Sequence, residues 1–413
     1  MNRLTSFLRN YLGDVGVVFY ISLLIITAFV TTATLQPEAV EATAQKVLDA
    51  TAKNVGWMYL MATTGFVLFV LFLAFSKFGS LRLGQDNEPP EFSFTSWLAM
   101  IFSGGMGVGL VFWGVAEPIM HLNDPPLGLA EPRSVKAAQL GDRVDRSWGK
   151  IIDILAVVST LFGVATTLGL GALQVNSGLA RLGVAEYSVT SQFMILGGLA
   201  TLFTISAMTP LDKGIRYLSN VNLLLAAGLL IFVLVMGPTA FIFGELTQTV
   251  GEYLGNLIEM SMVTTPYSDE KWVEQWTMFY WAWGLSWAPF VGSFIARISR
   301  GRTIREFVMG VMIVPVGLSM LWFSTFGGSA IHFELFEGAG IADAVAQEVP
   351  SGLYMLLDQL PWGGLAAVLA VILVSMFVVT SADSATFVLG MFTSKGVLTP
   401  TRFVRILWGG LQL

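Results

Sequence analysis

Four aromatic residues recur at helical spacing in the segment 276–305, which then runs into four arginines. Trp276, Tyr280, Trp283 and Trp287 are separated by four, three and four positions, so they line one face of a helix. An electron-rich face of this kind can hold an organic cation through cation–π attraction, without a carboxylate. An aromatic packing face beside an ordinary loop would show the same pattern, and the spacing alone favours that simpler interpretation.

A glycine-rich stretch interrupts a second apolar segment. Residues 103–118 read SGGMGVGLVFWGVAEP, with four glycines between positions 104 and 109. Glycines inside a helix weaken its hydrogen-bond ladder, and helices broken at mid-membrane expose carbonyls to ions and substrate in many transporters. A small-residue packing face from Gly105 to Gly109 explains the pattern equally well. Glu117, beside Pro118, is interpreted as a helix-end residue at the membrane interface with no special role.

A third segment places hydroxyl groups inside an apolar helix. Thr380, Ser381 and Ser384 lie within residues 377–387, with Asp383 among them. Several neutral oxygens suit a hard cation such as sodium, although membrane-embedded hydroxyls more often bond back to their own helix. Asp383 is costly to bury and is harder to explain as packing. An intramembrane enzyme has little support, because these segments offer no histidine or lysine to pair with Asp383.

The composition indicates what kind of protein positions these residues. Of 413 residues, 54% are hydrophobic and 12% charged, and the mean hydropathy is +0.71, whereas soluble domains carry roughly 25% charged residues. A polytopic membrane protein is therefore expected. The absence of cysteine excludes disulfides and thiolate metal sites. His121 and His332 are too far apart in sequence to favour a histidine metal site, and no basic patch suggests a nucleic-acid partner.

Nine segments are long and apolar enough to cross a bilayer, which takes about 20 residues. They are roughly 15–34, 56–76, 95–115, 151–171, 192–209, 220–243, 276–296, 306–327 and 363–386. The first follows two arginines, but its apolar run is too long for a signal peptide, so we expect a retained helix with a cytoplasmic N-terminus.

The basic residues conflict with this count. Positive residues favour the cytoplasmic side, yet simple alternation of nine spans places the basic loop 133–150 and Arg297–Arg305 outside. One more crossing between 116 and 151 would bring every later basic cluster inside, but that stretch has no apolar run able to cross. We expect Arg297–Arg305 to face the cytoplasm, with a helix missing before residue 151.

Taken together, these segments resemble the betaine/choline/carnitine transporter (BCCT) family. The matching stretches are GGMGVGLVFWGVAEP at 104–118, DILAVVSTLFGVATTLGLGALQ at 153–174, KGIRYLSN at 213–220, WTMFYWAWGLSWAPFVGSFIARISRGRTIREF at 276–307 and TSADSATF at 380–387. The resemblance implies an all-α, LeuT-like fold in one transporter domain over 1–413. It would comprise two extra N-terminal helices (15–76), a first repeat lacking one helix (95–243) and a C-terminally truncated second repeat (276–413).

The resemblance also implies site residues. The substrate-binding set would be Trp281, Trp283, Trp287, Gly105, Met106 and Gly107. One sodium site would use Ser103, Met106, Phe377, Thr380 and Ser381, and a second would use Thr160 and Phe290. Gly284 stands where many members have another tryptophan, which removes one ring from the substrate box.

The function implied is secondary transport of betaine-like quaternary ammonium or related zwitterionic osmolytes, by sodium symport, with sodium as the coupling ion and no organic cofactor. The expected partners are a small osmolyte of the betaine, choline or carnitine class, the lipid bilayer of a bacterial-type inner membrane, and copies of the chain in a homotrimer. The alternative is a truncated, non-transporting remnant, since nine of the usual twelve spans are expected.

Overall fold

The computed structural model describes residues 15, 17–85, 87–105, 107–123, 152–207, 214–264, 272–394, 397 and 400–412. The helices among them are α1 (Val17–Leu35), α2 (Pro37–Phe75), α3 (Phe94–Gly105), α4 (Gly107–Asn123), α5 (Ile152–Arg181), α6 (Val189–Ala207), α7 (Gly214–Met236), α8 (Thr239–Gly255), α9 (Leu257–Met260), α10 (Phe279–Ile298), α11 (Ile304–His332), α12 (Ile341–Gln347), α13 (Ser351–Asp358), α14 (Gly363–Thr393) and α15 (Arg402–Leu411). None of these described stretches forms a β-strand, which confirms an all-α protein.

Seven of the described helices are long and apolar enough to span a membrane, and an eighth span results if α3 and α4 count as one. The predicted span at 276–296 corresponds to the helix α10, which is long enough at 20 residues but is not apolar enough to be counted among these spans. Its tryptophans, tyrosine and glycines are less apolar than the aliphatic side chains of the other spans. A multi-pass membrane protein is therefore confirmed, whereas the count of nine spans is not.

The direction of α5 follows from its packing against α14. A Cβ atom added to Gly178 would lie 2.4 Å from Val371, and one added to Gly171 would lie 2.2 Å from Val378. The earlier residue of α5 therefore meets the later residue of α14, so the two helices are antiparallel. The glycines allow this close approach between the helix backbones.

The α3–α4 pair also runs antiparallel to α14. A Cβ atom added to Gly107 would lie 2.2 Å from the ring of Phe377, and Ser103 bonds to Thr380 further along α14. Since α3–α4 and α5 both oppose α14, they run in the same direction. The end of α4 and the start of α5 therefore lie at opposite ends of the bundle, as the basic residues required. The polar segment that connects them, 124–151, lies outside the described residues.

Arginines collect at one end of the bundle, which we call the basic end. Arg302 donates to the carbonyl of Phe92 at 2.9 Å, and Arg305 donates to the carbonyl of Ala74 at 2.9 Å. The first bond joins the loop after α10 to the loop before α3, and the second joins the start of α11 to the end of α2. The guanidinium of Arg302 also lies 4.2 Å from the centre of the Trp97 ring, a cation–π contact.

Ion pairs strengthen the same junction. Arg297 pairs with Glu91 at 2.6 Å and Arg300 with Glu88 at 3.0 Å. The backbone N–H of Gln85 and then Arg300 lower the pKa of Glu88, so this carboxylate stays charged well below neutral pH. Arg181, at the end of α5, pairs with Asp358 at the opposite end, which we call the far end.

Candidate functional site

Three buried hydroxyls and an amide meet where α3 ends, against α14 and α7. The Oγ of Ser103 lies 2.8 Å from Oγ1 of Thr380, and the amide of Asn222 donates to both, at 2.8 and 3.1 Å. Ser381 donates to the carbonyl of Ser103 over a long 3.4 Å. All four residues are at most 2% exposed. We call these four residues the oxygen cluster.

Asn222 is a member that the sequence did not reveal. It lies in the apolar helix α7 and is fully buried, and its Oδ1 accepts no hydrogen bond from the described part of the chain. A buried acceptor without a donor costs about 1–3 kcal/mol. A cation at the cluster would offset that cost, so the orphan oxygen fits a bound ion.

The chemistry of the donors is specific to one class of ion. The oxygens of the cluster are neutral, and no group of three or more histidine and acidic residues able to hold a metal occurs in the described ranges. Neutral hydroxyl and carbonyl oxygens suit a hard monovalent cation and not a transition metal. The residues therefore fit sodium.

Thr380 and Ser375 show two different arrangements of a hydroxyl group on the same helix. Ser375 donates to the carbonyl of Val371 in its own helix at 2.8 Å, which is the ordinary arrangement. Thr380 also lies 3.0 Å from the carbonyls of Met376 and Phe377, but its oxygen is shared with α3 and α7. The expectation that membrane hydroxyls bond back to their own helix thus explains Ser375 fully and Thr380 only in part.

The glycine-rich stretch forms a break beside the cluster. α3 and α4 are inclined by 60° at residues 105–107. An added Cβ atom would fall 2.8 Å from the ring of Phe294 at Gly104, and 2.2 Å from the ring of Phe377 at Gly107. Gly105 is the last residue of α3, and Met106 lies outside the described residues. The break therefore packs closely against both α10 and α14.

The residues expected for a second sodium site lie on α5 and α10. Thr160 is fully buried, and its hydroxyl has no hydrogen-bond partner among the residues described. Gly163, one turn later, packs against Trp287, since an added Cβ would lie 2.5 Å from its ring. α10 runs antiparallel to α3–α4, because Gly104 packs at Phe294 and Gly109 at Trp283, and it is therefore antiparallel to α5 as well. With Trp287 at Gly163, this places Phe290, also fully buried, level with Thr160.

Three of the four aromatic side chains form a continuous row of ring contacts from the far end toward the break, and Trp287 follows one helical turn later. The rings of Trp276 and Tyr280 stack with centroids 6.2 Å apart, and those of Tyr280 and Trp283 are 5.9 Å apart. Trp283 lies against Gly109 of α4, 3.8 Å from the position of its missing Cβ, and Trp287 lies against Gly163 of α5. We call these four residues the aromatic ladder. Trp283 and Trp287, the lower half of the ladder, therefore lie within a turn of the helix break. Trp276 and Tyr280 form its upper half.

Trp281 lies elsewhere. It is 4% exposed and packs in a separate cluster with Leu60 of α2, Val273 and Met278. Residues 281 and 283 differ by about 200° around a helix, which separates their side chains. Trp283 and Trp287 are half-buried, and neither indole N–H has a hydrogen-bond partner in the described structure.

Comparison with known proteins gives one family. The model of the betaine/carnitine/choline family transporters matches residues 17–140 and 131–413. The chain is 40% identical to the glycine betaine transporter OpuD of Bacillus subtilis over 447 residues, covering 97% of this chain and 87% of that protein. It is 38% identical to the ectoine/hydroxyectoine transporter of Virgibacillus pantothenticus, covering 95% and 87%. It is 37% identical to the high-affinity choline transport protein of Escherichia coli, covering 92% and 62%.

The form of these matches is informative as well. The alignment with OpuD spans 447 positions although this chain has 413 residues. That relative therefore carries residues within the aligned region that have no counterpart here. The family match is likewise divided into two parts, which overlap at 131–140.

Proposed function

Since the chain belongs to the betaine/carnitine/choline transporter family, we propose that it is a secondary transporter of quaternary ammonium and related zwitterionic osmolytes. The observation that carries the proposal is the meeting of the aromatic ladder with the oxygen cluster at one helix break. Ring faces suit an onium group, and neutral oxygens suit a coupling cation. The comparisons give no support to a non-transporting remnant, because the relatives named are transporters matched over nearly the whole chain.

The residue roles follow from the same geometry. Trp283 and Trp287 would hold the onium group, with the backbone at Gly105 and Gly107 beside it. Ser103, Thr380 and Ser381 would bind sodium together with the carbonyl of Phe377, and Thr160 would serve a second site near Phe290. The sodium gradient would supply the driving force for transport. The chain supplies the oxygens on α3 and α14, and the distances between them depend on how these two helices pack.

The finer features of the fold belong to the same proposal. A LeuT-like arrangement would place two repeats at 95–243 and 276–413, with the first repeat lacking one helix. The direction of α3–α4 and α5 and the divided family match both support that proposal. A bacterial inner membrane and a trimeric assembly are expected from the resemblance to the family.

The orientation of the basic end can be tested directly. We expect it to face the cytoplasm, because positive residues are retained there. The chain has no native cysteine, so Arg300→Cys in intact cells should resist an impermeant maleimide and react only after permeabilisation.

Arg181→Cys provides the matched control at the far end. Arg181 and Arg300 each form an ion pair and each is partly exposed, so the two substitutions remove similar interactions. Arg181→Cys should react in intact cells. Labelling of Arg300→Cys from outside would contradict the proposed orientation.

The substrate class is tested by binding and uptake. Reconstituted protein should accumulate labelled glycine betaine or choline, and a quaternary ammonium should compete better than a primary amine. Trp283→Ala and Trp287→Ala should each weaken binding by about 1–2 kcal/mol, the size of a desolvated cation–π contact. Titration calorimetry measures the loss.

Trp281→Ala is the matched comparison on the same helix. Its ring packs on Leu60, so we expect reduced thermal stability with unchanged preference for quaternary ammonium. If Trp283→Ala and Trp287→Ala bound betaine as tightly as the parent chain, the ladder would be packing alone.

A further inference from the structure

A buried carboxylate lies beside the upper half of the aromatic ladder. Glu117 is 5% exposed, and among the described residues only Asp383 is an equally buried acid. The interpretation of Glu117 as a helix-end residue at the interface was wrong. α4 continues through Pro118 to Asn123, so Glu117 lies inside the helix.

Glu117 contacts the ladder directly through one carboxylate oxygen and through His121 with the other. The hydroxyl of Tyr280 donates to its Oε2 at 2.9 Å. Its Oε1 lies 3.5 Å from Nε2 of His121, one turn further along α4. The His121 ring in turn lies 4.3 Å from the ring of Trp276. One carboxylate therefore joins α4 to two successive members of the ladder.

Tyr280 is the ring on which the ladder depends. It stacks on Trp276, lies 5.9 Å from Trp283 and meets Trp113 of α4 edge to face at 6.4 Å. Removing the Glu117 carboxylate takes away the hydrogen bond that holds the partly buried phenol hydroxyl of Tyr280, so the ring is less constrained and can turn. Any such turn would change the surface against which Trp283 packs.

We propose that Glu117 is a positioning residue for substrate binding. It fixes Tyr280 directly and Trp276 through His121, and thereby sets the plane of Trp283 at the break. The inference rests on the proposed function, and Glu117 itself need not touch the substrate. A purely structural role would change stability without changing substrate affinity.

A double-mutant cycle on choline binding tests this inference. We expect Glu117→Ala and Tyr280→Phe each to weaken choline binding about tenfold, measured by calorimetry in detergent. The double variant should be no weaker than Glu117→Ala alone, because the contact that Tyr280→Phe removes is already lost in Glu117→Ala. Glu117→Gln keeps an oxygen acceptor and should bind within about threefold of the parent. In uptake, KM should rise while the maximal rate is kept.

The outcomes separate the alternatives. Additive losses in the double variant would show that Glu117 does not act through Tyr280 and would overturn the proposal. So would a loss for Glu117→Gln equal to that for Glu117→Ala, which would indicate a role for the charge itself. If Glu117→Ala does not fold, the comparison of Glu117→Gln with Tyr280→Phe still tests the proposal. Choline binding must be weakened by Tyr280→Phe and nearly unchanged in Glu117→Gln. A parent chain that binds no choline or betaine would instead refute the proposed function.

Discussion

Replacing Thr380 by valine is expected to abolish the sodium dependence of uptake in a chain that still folds. The substitution keeps the shape of the side chain and removes an oxygen that lies 2.8 Å from Ser103 and 3.1 Å from the Asn222 amide. The loss of sodium affinity should be at least as large as the 10–100-fold loss that is typical when an outer-shell partner is removed from a metal site. The measurement is uptake of labelled glycine betaine by proteoliposomes against sodium concentration.

Matched variants on the same helix make the result specific. Ser381→Ala should also raise the sodium concentration needed for half-maximal uptake, because its hydroxyl lies at the carbonyl of Ser103. Ser375→Ala should change nothing, since that hydroxyl bonds only within α14. If Thr380→Val and Ser381→Ala kept full sodium dependence while folding normally, the cluster would be a packing device and the coupling ion would bind elsewhere.

Local periodicity was sufficient to predict the parts of the site that lie on single helices. The spacing of Trp276, Tyr280, Trp283 and Trp287 predicts one face, and in the structure the first three rings lie in contact along it. The same rule separates Trp281, which family resemblance alone had grouped with Trp283.

Contacts between distant segments were not predictable in this way. Asn222 meets Ser103 and Thr380 across 119 and 158 positions, and a lone asparagine in an apolar run has no local pattern. Glu117 was misread because proline after it suggested a helix end. α4 continues past it because Pro118 and Gly114 pack against Gly327 of α11.

The directions of the helices depend on packing in the same sense. Counting apolar segments placed the arginines after α10 outside, whereas the charge rule placed them inside. The glycine contacts along α14 support the charge rule, because they show that α3–α4 and α5 run in parallel. Sequence patterns specify where a helix is, and the small residues that permit close packing specify which way it runs beside its neighbour.

Substituting alanine for Gly107 is expected to force apart two helices that pack together at the break. The new Cβ atom would lie 2.2 Å from Cδ1 of Phe377, a ring that is fully buried and meets Phe102 edge to face at 5.6 Å. The ring has no space to retreat, so α4 and α14 must separate, at a cost of about 1–3 kcal/mol. Separation would also draw Thr380 away from Ser103, so sodium-dependent uptake should be lost and thermal unfolding should occur at a lower temperature.

Gly109→Ala provides the control within the same motif. Its added Cβ would meet Trp283 at 3.8 Å, an ordinary van der Waals contact, and alanine favours a helix interior by about 0.5–1 kcal/mol over glycine. We therefore expect unchanged or higher stability with sodium-dependent uptake retained. Phe377→Leu in the Gly107→Ala background should recover part of the lost stability, because the smaller side chain makes room for the methyl group. Equal behaviour of the two alanine variants would mean that the glycines serve helix flexibility in general and not the contact between α4 and α14.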